Sequence, residues 1–493
     1  MDGMTMDMGM DYGALVPEAA LLVGAIVALL AGSFLPRRRQ GVVTVAAILA
    51  SLVSVGAAIA AVVQDDTPRT IFEDSYALDI GSTVIRIAAP LATIVVLLIA
   101  RPDLKDRPRE SESVSLLMLA TLGTVVLAGA HDLLIVAAAF FLASVPLYAL
   151  IGLYTGKRGA EASLKTYLMG ALLGVTMLLG IAVLAGVGGG SGYTQLRQSL
   201  PEAPAAAVGL GVIAIFAGLM FKVGAVPGHF WVPDAAQGSS ISVAAFVTTV
   251  PKIGALVAVA RLVEVVQPAV SAGLVIAVFA AVTMVLGTLA ALWQDDVRRL
   301  LGWSTVSQAG FLLMPAAAIG STPGAIVPLL VYAVFYAATN LAAFAVVAAL
   351  PDRVDLASWR GAGSRHPLLV GALIVSLLSV IGTPPTLVFV GKLSVFVVAA
   401  EAGLVWLVIV AIAVSVASVF YALRWIVPAV RPAVRPAGGG GDVAVAASDV
   451  VAPAERAPRL PAAVALVLAV LVVAAGATAL PLLSASPMLV GAM

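Results

Sequence analysis

Cysteine is absent from the 493 residues, histidine occurs three times, lysine six times, and charged residues make up 11% of the chain. Without cysteine there are no disulfides, no Cys-ligated zinc, no iron–sulfur cluster and no thiol nucleophile, so any redox chemistry belongs to another chain. The formal net charge of +1 lacks the basic excess that a phosphate-binding face needs, and no nucleic-acid partner is expected. What the chain has in abundance is hydrocarbon. With 61% hydrophobic residues and a mean hydropathy of +1.10, soluble packing cannot hide its apolar surface, and the fold expected is an all-α polytopic membrane protein in a lipid bilayer.

Apolar runs of about 20 residues bounded by charges, Gly or Pro give about 14 transmembrane helices. They start near Leu15, Val42, Val84, Val114, Leu133, Ala162, Ala206, Ser242, Val270, Leu300, Gly324, Leu368, Gly403 and Ala462. The loop cations then alternate in density. Arg37 to Arg39, the Arg101 to Arg109 cluster, Lys157 and Arg158, Arg298 and Arg299, Arg353 to Arg365 and Arg424 to Arg459 share one side, which marks the cytoplasm. An even number of spans puts both termini outside. The first apolar run follows an uncharged and acidic leader and precedes Arg37, the reverse of a cleavable signal peptide. The leader's methionines (Met1, Met4, Met6, Met8, Met10) are soft ligands able to hold Cu(I), but read best as a frayed end.

Three of the six lysines, Lys222, Lys252 and Lys392, lie inside long apolar stretches. A charge at bilayer depth is expensive and marks function by default, and an ammonium, unlike a guanidinium, can give up its proton. The bland alternative is snorkelling to the headgroups, which suits Lys222 and Lys392 near span ends better than Lys252 in the middle of its span. Two spans are also expected to break. From Leu368 to Ala400 only Lys392 is charged, the stretch is too long for one straight span, and Thr383-Pro384-Pro385 interrupts it. The seventh span crowds Gly218, Lys222, Gly224 and Pro227 into its inner half. Broken helices in corresponding halves are the sign of an inverted-repeat transporter, with the ion site beside the breaks.

The remaining titratable and aromatic residues divide quickly. His229, beside Trp231 and Asp234, suits either proton entry or an interfacial cap; Asp132 suits the N-cap of a helix opening at Leu133; His366 sits in a basic loop. Trp231, Trp293, Trp303, Trp359 and Trp425 fall near span ends on the arginine-rich side and are expected as interfacial anchors. Gly188 to Gly192 lacks the Lys-Ser/Thr of a phosphate loop.

The stretch Phe221-Lys222-Val223-Gly224-Ala225-Val226-Pro227-Gly228-His229-Phe230-Trp231-Val232-Pro233-Asp234, followed by Gln237-Gly238 and Pro251-Lys252-Ile253, resembles the signature of the subunit N family of bacterial complex I, the NADH-quinone oxidoreductase. Val16-Pro17-Glu18, Glu161-Ala162-Ser163-Leu164-Lys165, Arg299-Leu300-Leu301-Gly302-Trp303-Ser304, Thr339-Asn340-Leu341, Gly382-Thr383-Pro384-Pro385 and Phe389-Val390-Gly391-Lys392 agree with it in the same order along nearly the whole chain. The resemblance implies an antiporter-like fold: helices 1–3 over 1–110, a first repeat over 111–266 (helices 4–8), an inverted second repeat over 267–430 (helices 9–13), a flexible cytoplasmic linker over 431–461 and a last helix over 462–493. Helices 7 and 12 are the broken ones.

By the same resemblance Lys222, Lys252 and Lys392 form a proton relay; His229 is a candidate for its entry, and Lys165 and Gln308 are candidates for a water path along it. Flavin, Fe–S clusters and quinone are expected in partner subunits, with no cofactor or metal here. The partners implied are other membrane subunits of complex I in a hetero-oligomer of the bacterial inner membrane. One departure stands out. The family carries a buried glutamate in the fifth helix; here Pro146-Leu147-Tyr148 is intact while the aligned position is Phe141. Gln308 stands where many members have histidine. Lys222 therefore lacks a Coulomb partner, and three readings follow: a pumping subunit using a lysine and water path, a non-pumping structural subunit, or a cation/proton antiporter subunit.

Overall fold

The computed structural model describes residues 11–105, 109–153, 156–432 and 457–485; the Met-rich leader and residues 433–456 of the expected linker lie outside them. All 14 expected span starts fall within five residues of a helix start. The helices are α1 (Val16–Phe34), α2 (Gly41–Gln64), α3 (Ile80–Leu104), α4 (Glu110–Gly129), α5 (Leu133–Gly152), α6 (Lys157–Gly188), the short α7 (Tyr193–Ser199), α8 (Ala205–Val223) and α9 (Trp231–Gly238). The chain continues through α10 (Ile241–Val247), α11 (Val250–Val266), α12 (Ala272–Ala291), α13 (Val297–Ala318), α14 (Ile326–Ala349), the single turn α15 (Ala362–Arg365), α16 (Pro367–Ile381), α17 (Leu387–Glu401), α18 (Val405–Val430) and α19 (Arg459–Ala485). Among the described residues, twelve stretches are long and apolar enough to cross a membrane. The two expected spans outside that set are α13, which opens on Arg298 and Arg299, and the interrupted pair α16 and α17.

One departure from an all-helical chain is a two-stranded hairpin, β1 (Arg69–Ile71) and β2 (Tyr76–Leu78), at the end opposite the arginine-rich loops. It docks on α1 and α3 through a buried cluster. Tyr76 donates its hydroxyl to Glu18 Oε1 at 2.7 Å, Arg86 Nε donates to the same oxygen at 2.7 Å, and Arg86 Nη2 donates to the Ala14 carbonyl at 3.1 Å. Glu18 and Arg86 are both almost fully buried. Asp132 caps α5 as its position suggested, accepting from Leu134 N at 2.6 Å. Helices meet closely where glycine permits it. A Cβ on Gly254 of α11 would lie 2.2 Å from the Thr124 carbonyl, and one on Gly123 of α4 would lie 2.4 Å from Ala143 N, so α4 packs tightly against both α5 and α11.

The interfacial role expected of five tryptophans needs correction. Trp293 is 84% exposed, but Trp231, Trp359 and Trp425 are buried. Trp231 Nε1 donates to the Phe221 carbonyl at 3.0 Å, Trp359 Nε1 donates to the Arg353 carbonyl at 3.1 Å, and the Trp359 and Trp425 rings meet edge to face at 5.2 Å. Closeness to a span end did not distinguish an indole facing lipid from one closing the bundle.

Because a buried charge left alone is costly, replacing Arg86 with Met while Glu18 remains is expected to cost about 3–5 kcal/mol. It reads as a drop in the thermal midpoint of the purified membrane assembly, with the double variant Glu18→Gln/Arg86→Met recovering much of the loss.

Candidate functional site

Three helix interruptions organise the interior. After α8 the chain turns at Gly224 (φ +77°) and resumes as α9; after α16 it turns at Gly382 (φ +92°), passes Pro384-Pro385 and resumes as α17. Both are left-handed positions that suit glycine. The third interruption is unforeseen: the eighth span is α10 and α11, separated at Thr248 and Thr249. Lys252 is therefore the third residue of a new helix and not the middle of a continuous one.

A helix end inside the bilayer leaves carbonyls without partners, which must be satisfied by protein or water. Here side chains do it. Trp231 Nε1 caps the Phe221 carbonyl of α8. Tyr336 Oη lies 3.3 Å from the Thr248 carbonyl. Gln308 Nε2 donates to the Val380 carbonyl at 3.2 Å, and Lys392 Nζ donates to the next one, Ile381, at 2.9 Å.

Lys222, Lys252 and Lys392 are 1%, 1% and 4% exposed, so their amines bond inside the bundle and do not snorkel to headgroups. Lys222 Nζ donates to Ser144 Oγ of α5 at 2.5 Å and sits 5.2 Å from the Phe140 ring centroid. Lys252 Nζ donates to the Thr305 carbonyl of α13 at 3.3 Å and lies 5.3 Å from the Tyr336 ring. Lys392 Nζ adds Ser415 Oγ at 3.0 Å and the Phe311 ring at 4.1 Å. Each amine has an aromatic face and a neutral oxygen. None of the ion pairs among the described residues includes any of the three, and the two most buried carboxylates, Glu18 and Glu110, are committed to Arg86 and Arg101.

Between Lys252 and Lys392 runs a line of buried polar groups. Thr305, whose carbonyl receives Lys252, has its hydroxyl 2.8 Å from Tyr336 Oη. One turn along the same helices, the Tyr332 hydroxyl donates to Gln308 Oε1. Gln308 then reaches Val380, the neighbour of the residue that accepts Lys392. Asn340 Nδ2 lies 2.9 Å from both the Thr248 and Thr249 hydroxyls and holds the interruption beside Lys252. Among the described residues no hydrogen-bonded chain joins Lys222 to Lys252.

The other expected site residues fall outside this line. His229 is 2% exposed and packs on Phe230 and Trp303, with neither ring nitrogen making a hydrogen bond of ordinary geometry. Lys165 is half-exposed and pairs with Glu161 at 2.6 Å and Asp234 at 2.9 Å, while Asp234 also accepts from Arg299. That ionic cluster ties α6, α9 and α13 together at the arginine-rich end. Phe141 is half-buried and meets Phe140 edge to face at 5.3 Å. Sequence reasoning missed Ser144, Thr305, Tyr332, Tyr336 and the Thr248-Thr249 interruption; Pro251, which favours the first turn of a helix, was the available signal for the last.

The transmembrane family described as NADH:quinone oxidoreductase/Mrp antiporter matches residues 130–420. NADH-quinone oxidoreductase subunit N of Mycobacterium sp. (strain JLS) is 48% identical over 416 residues, covering 84% of this chain and 88% of that protein. The chain belongs to the subunit N family of NADH-quinone oxidoreductase. Subunit N 1 of Streptomyces griseus subsp. griseus is 49% identical over 433 residues, covering 87% and 91% of the two chains. A chain of respiratory complex I from Thermus thermophilus superposes with a TM-score of 0.75 at 28% identity over 94% of this chain and 97% of that one. A chain of the Mrp complex from Dietzia sp. DQ12-45-1b, 23% identical with a TM-score of 0.81 over 96% of both, shares the fold.

In this subunit N family member, Gln308→Met is expected to strand the buried Tyr332 hydroxyl and the Val380 carbonyl at about 1–3 kcal/mol for each group left unpaired. A lowered thermal midpoint of the assembly, larger than that of Gln308→Glu at acid pH, is the measurement.

Proposed function

We propose that this chain is a proton-translocating membrane subunit of a complex I-type NADH:quinone oxidoreductase. It moves protons through the buried lysines while electron transfer proceeds in other subunits. The reading is carried by one observation: Lys252 and Lys392 each place an amine against backbone or hydroxyl oxygen beside an interrupted helix, and a line of polar side chains runs between them. An amine held by neutral oxygens and an aromatic face can exist protonated or neutral without stranding a partner charge. That is the property a relay needs and an ion-paired lysine lacks.

The arrangement extends to the whole chain. Residues 111–266 and 267–430 serve as two inverted repeats, each with an interruption closed by a left-handed glycine, Gly224 or Gly382. The arginine-rich face is cytoplasmic, with both termini on the other side of the bacterial plasma membrane. Flavin, Fe–S clusters and quinone reside in partner subunits, and the flanking helices pack against other membrane subunits of the complex. Lys222, lacking a hydrogen-bonded link to Lys252, communicates with it through water or through a movement of α8.

The test is proton uptake by the purified intact complex in vesicles, parent against Lys252→Ala. Proton yield per electron is expected to fall while uncoupled electron transfer persists. An unchanged yield removes Lys252 from the path and leaves the structural-subunit reading.

A further inference from the structure

Lys222 has one hydrogen-bonding partner, the Ser144 hydroxyl, and that hydroxyl is itself a relay point. Ser144 is fully buried, and its Oγ also donates to the Phe140 carbonyl at 2.6 Å. One turn closer to the arginine-rich end of α5 stands Tyr148, four residues on and so on the same helix face as Ser144, with a buried hydroxyl that completes no hydrogen bond of ordinary geometry. The Tyr148 hydroxyl occupies space that Gly170 of α6 leaves open, where a Cβ would lie 1.9 Å from the oxygen. Beyond it, the Tyr167 ring meets Tyr148 edge to face at 5.9 Å and is 53% exposed. A serine bonding back to its own helix is ordinary packing. A serine that also receives a buried amine, with an unpaired phenol one turn along the same helix, is not.

We infer that Tyr148 and Ser144 form a hydroxyl relay that loads Lys222 with protons from the arginine-rich end of the protein. The inference rests on the pumping role proposed above and adds the route by which Lys222 exchanges its proton. Loading begins with Lys222 neutral. The Ser144 hydroxyl turns about its Cβ–Oγ bond, so that its O–H leaves the Phe140 carbonyl and points at the amine lone pair. The Ser144 O–H bond then breaks as the new N–H bond forms, the Tyr148 proton re-forms the Ser144 hydroxyl, and a water-borne proton re-forms the Tyr148 hydroxyl. One proton has moved from water to the amine, both hydroxyls are restored and no electrons are transferred. A hydroxyl is both donor and acceptor but does not hold a proton as a carboxylate does, so the transfer runs through without a stop, and the orientation of the Ser144 O–H acts as the gate.

The experiment compares proton yield per electron for the parent, Lys222→Ala, Ser144→Ala, Ser144→Thr and Tyr148→Phe, each in the intact complex in vesicles, with uncoupled electron transfer as the measure of assembly. Ser144→Ala and Tyr148→Phe are expected to lower the yield to the level of Lys222→Ala, and Ser144→Thr, which keeps the hydroxyl, to recover most of it. Parental yield in Ser144→Ala or Tyr148→Phe, with Lys222→Ala reduced, overturns the relay and leaves the pumping role standing. Parental yield in Lys222→Ala removes the pumping role of Lys222 and the relay with it. Should Ser144→Ala fail to assemble, Tyr148→Phe decides alone, because the oxygen it deletes makes no hydrogen bond of ordinary geometry in the folded chain.

Discussion

An amine surrounded by hydrocarbon is tolerable only where oxygen is near. One helix interruption supplies that oxygen directly and another brings an amine within its reach. Ile381 gives its carbonyl to Lys392, and the interruption at Thr248 places Lys252 where it reaches the Thr305 carbonyl of the neighbouring α13. Lys222 instead takes a hydroxyl from α5. The rest of the interior is arranged around these contacts: glycines turn the chain at two of the three interruptions, and Trp231, Tyr336 and Gln308 close the carbonyls that the lysines do not use. Pairing each lysine with a carboxylate would hold the charge more firmly and make its release harder. The oxygens present here are neutral.

Much of this was legible in the residues. Charged side chains are so scarce that Lys222, Lys252 and Lys392 stand out against their apolar surroundings, and glycine or proline pairs at 224–227 and 382–385 announce two of the interruptions. The span starts followed from hydropathy alone because backbone satisfaction in lipid admits little but helices. Less legible was everything that depends on which way a helix turns. Whether Trp359 faces lipid or Trp425, whether Lys165 points inward or toward Asp234, and which hydroxyl meets Lys222 are set by helix rotation, which a uniformly apolar sequence does not record. The Thr248-Thr249 interruption was hidden because threonine fits helix and non-helix alike.

The two halves of the interior are unequal. The Lys252 to Lys392 side has two hydrogen-bonded pairs one turn apart, Thr305 with Tyr336 and Gln308 with Tyr332, whereas Lys222 lies beside the Phe140 ring, with a single hydroxyl between it and the α5 backbone. Phe141 adds to the aromatic packing there, its ring 3.2 Å from where a Cβ on Gly174 would sit. In the relay proposed above, proton movement on that side would depend more on side-chain rotation and on water than it would on the other.

Tyr336 touches two things at once: its ring lies under the Lys252 amine, and its oxygen reaches both Thr305 on α13 and the open end of α10. A single rigid phenol thus works as a lever. Any tilt of α14 that lifts the ring from the amine must also pull on the two neighbouring helices. The electrical state of Lys252 and the mechanical spacing of three helices are in this way one coordinate, and a push delivered to α14 by a neighbouring subunit would be felt at the nitrogen without any charge travelling to meet it.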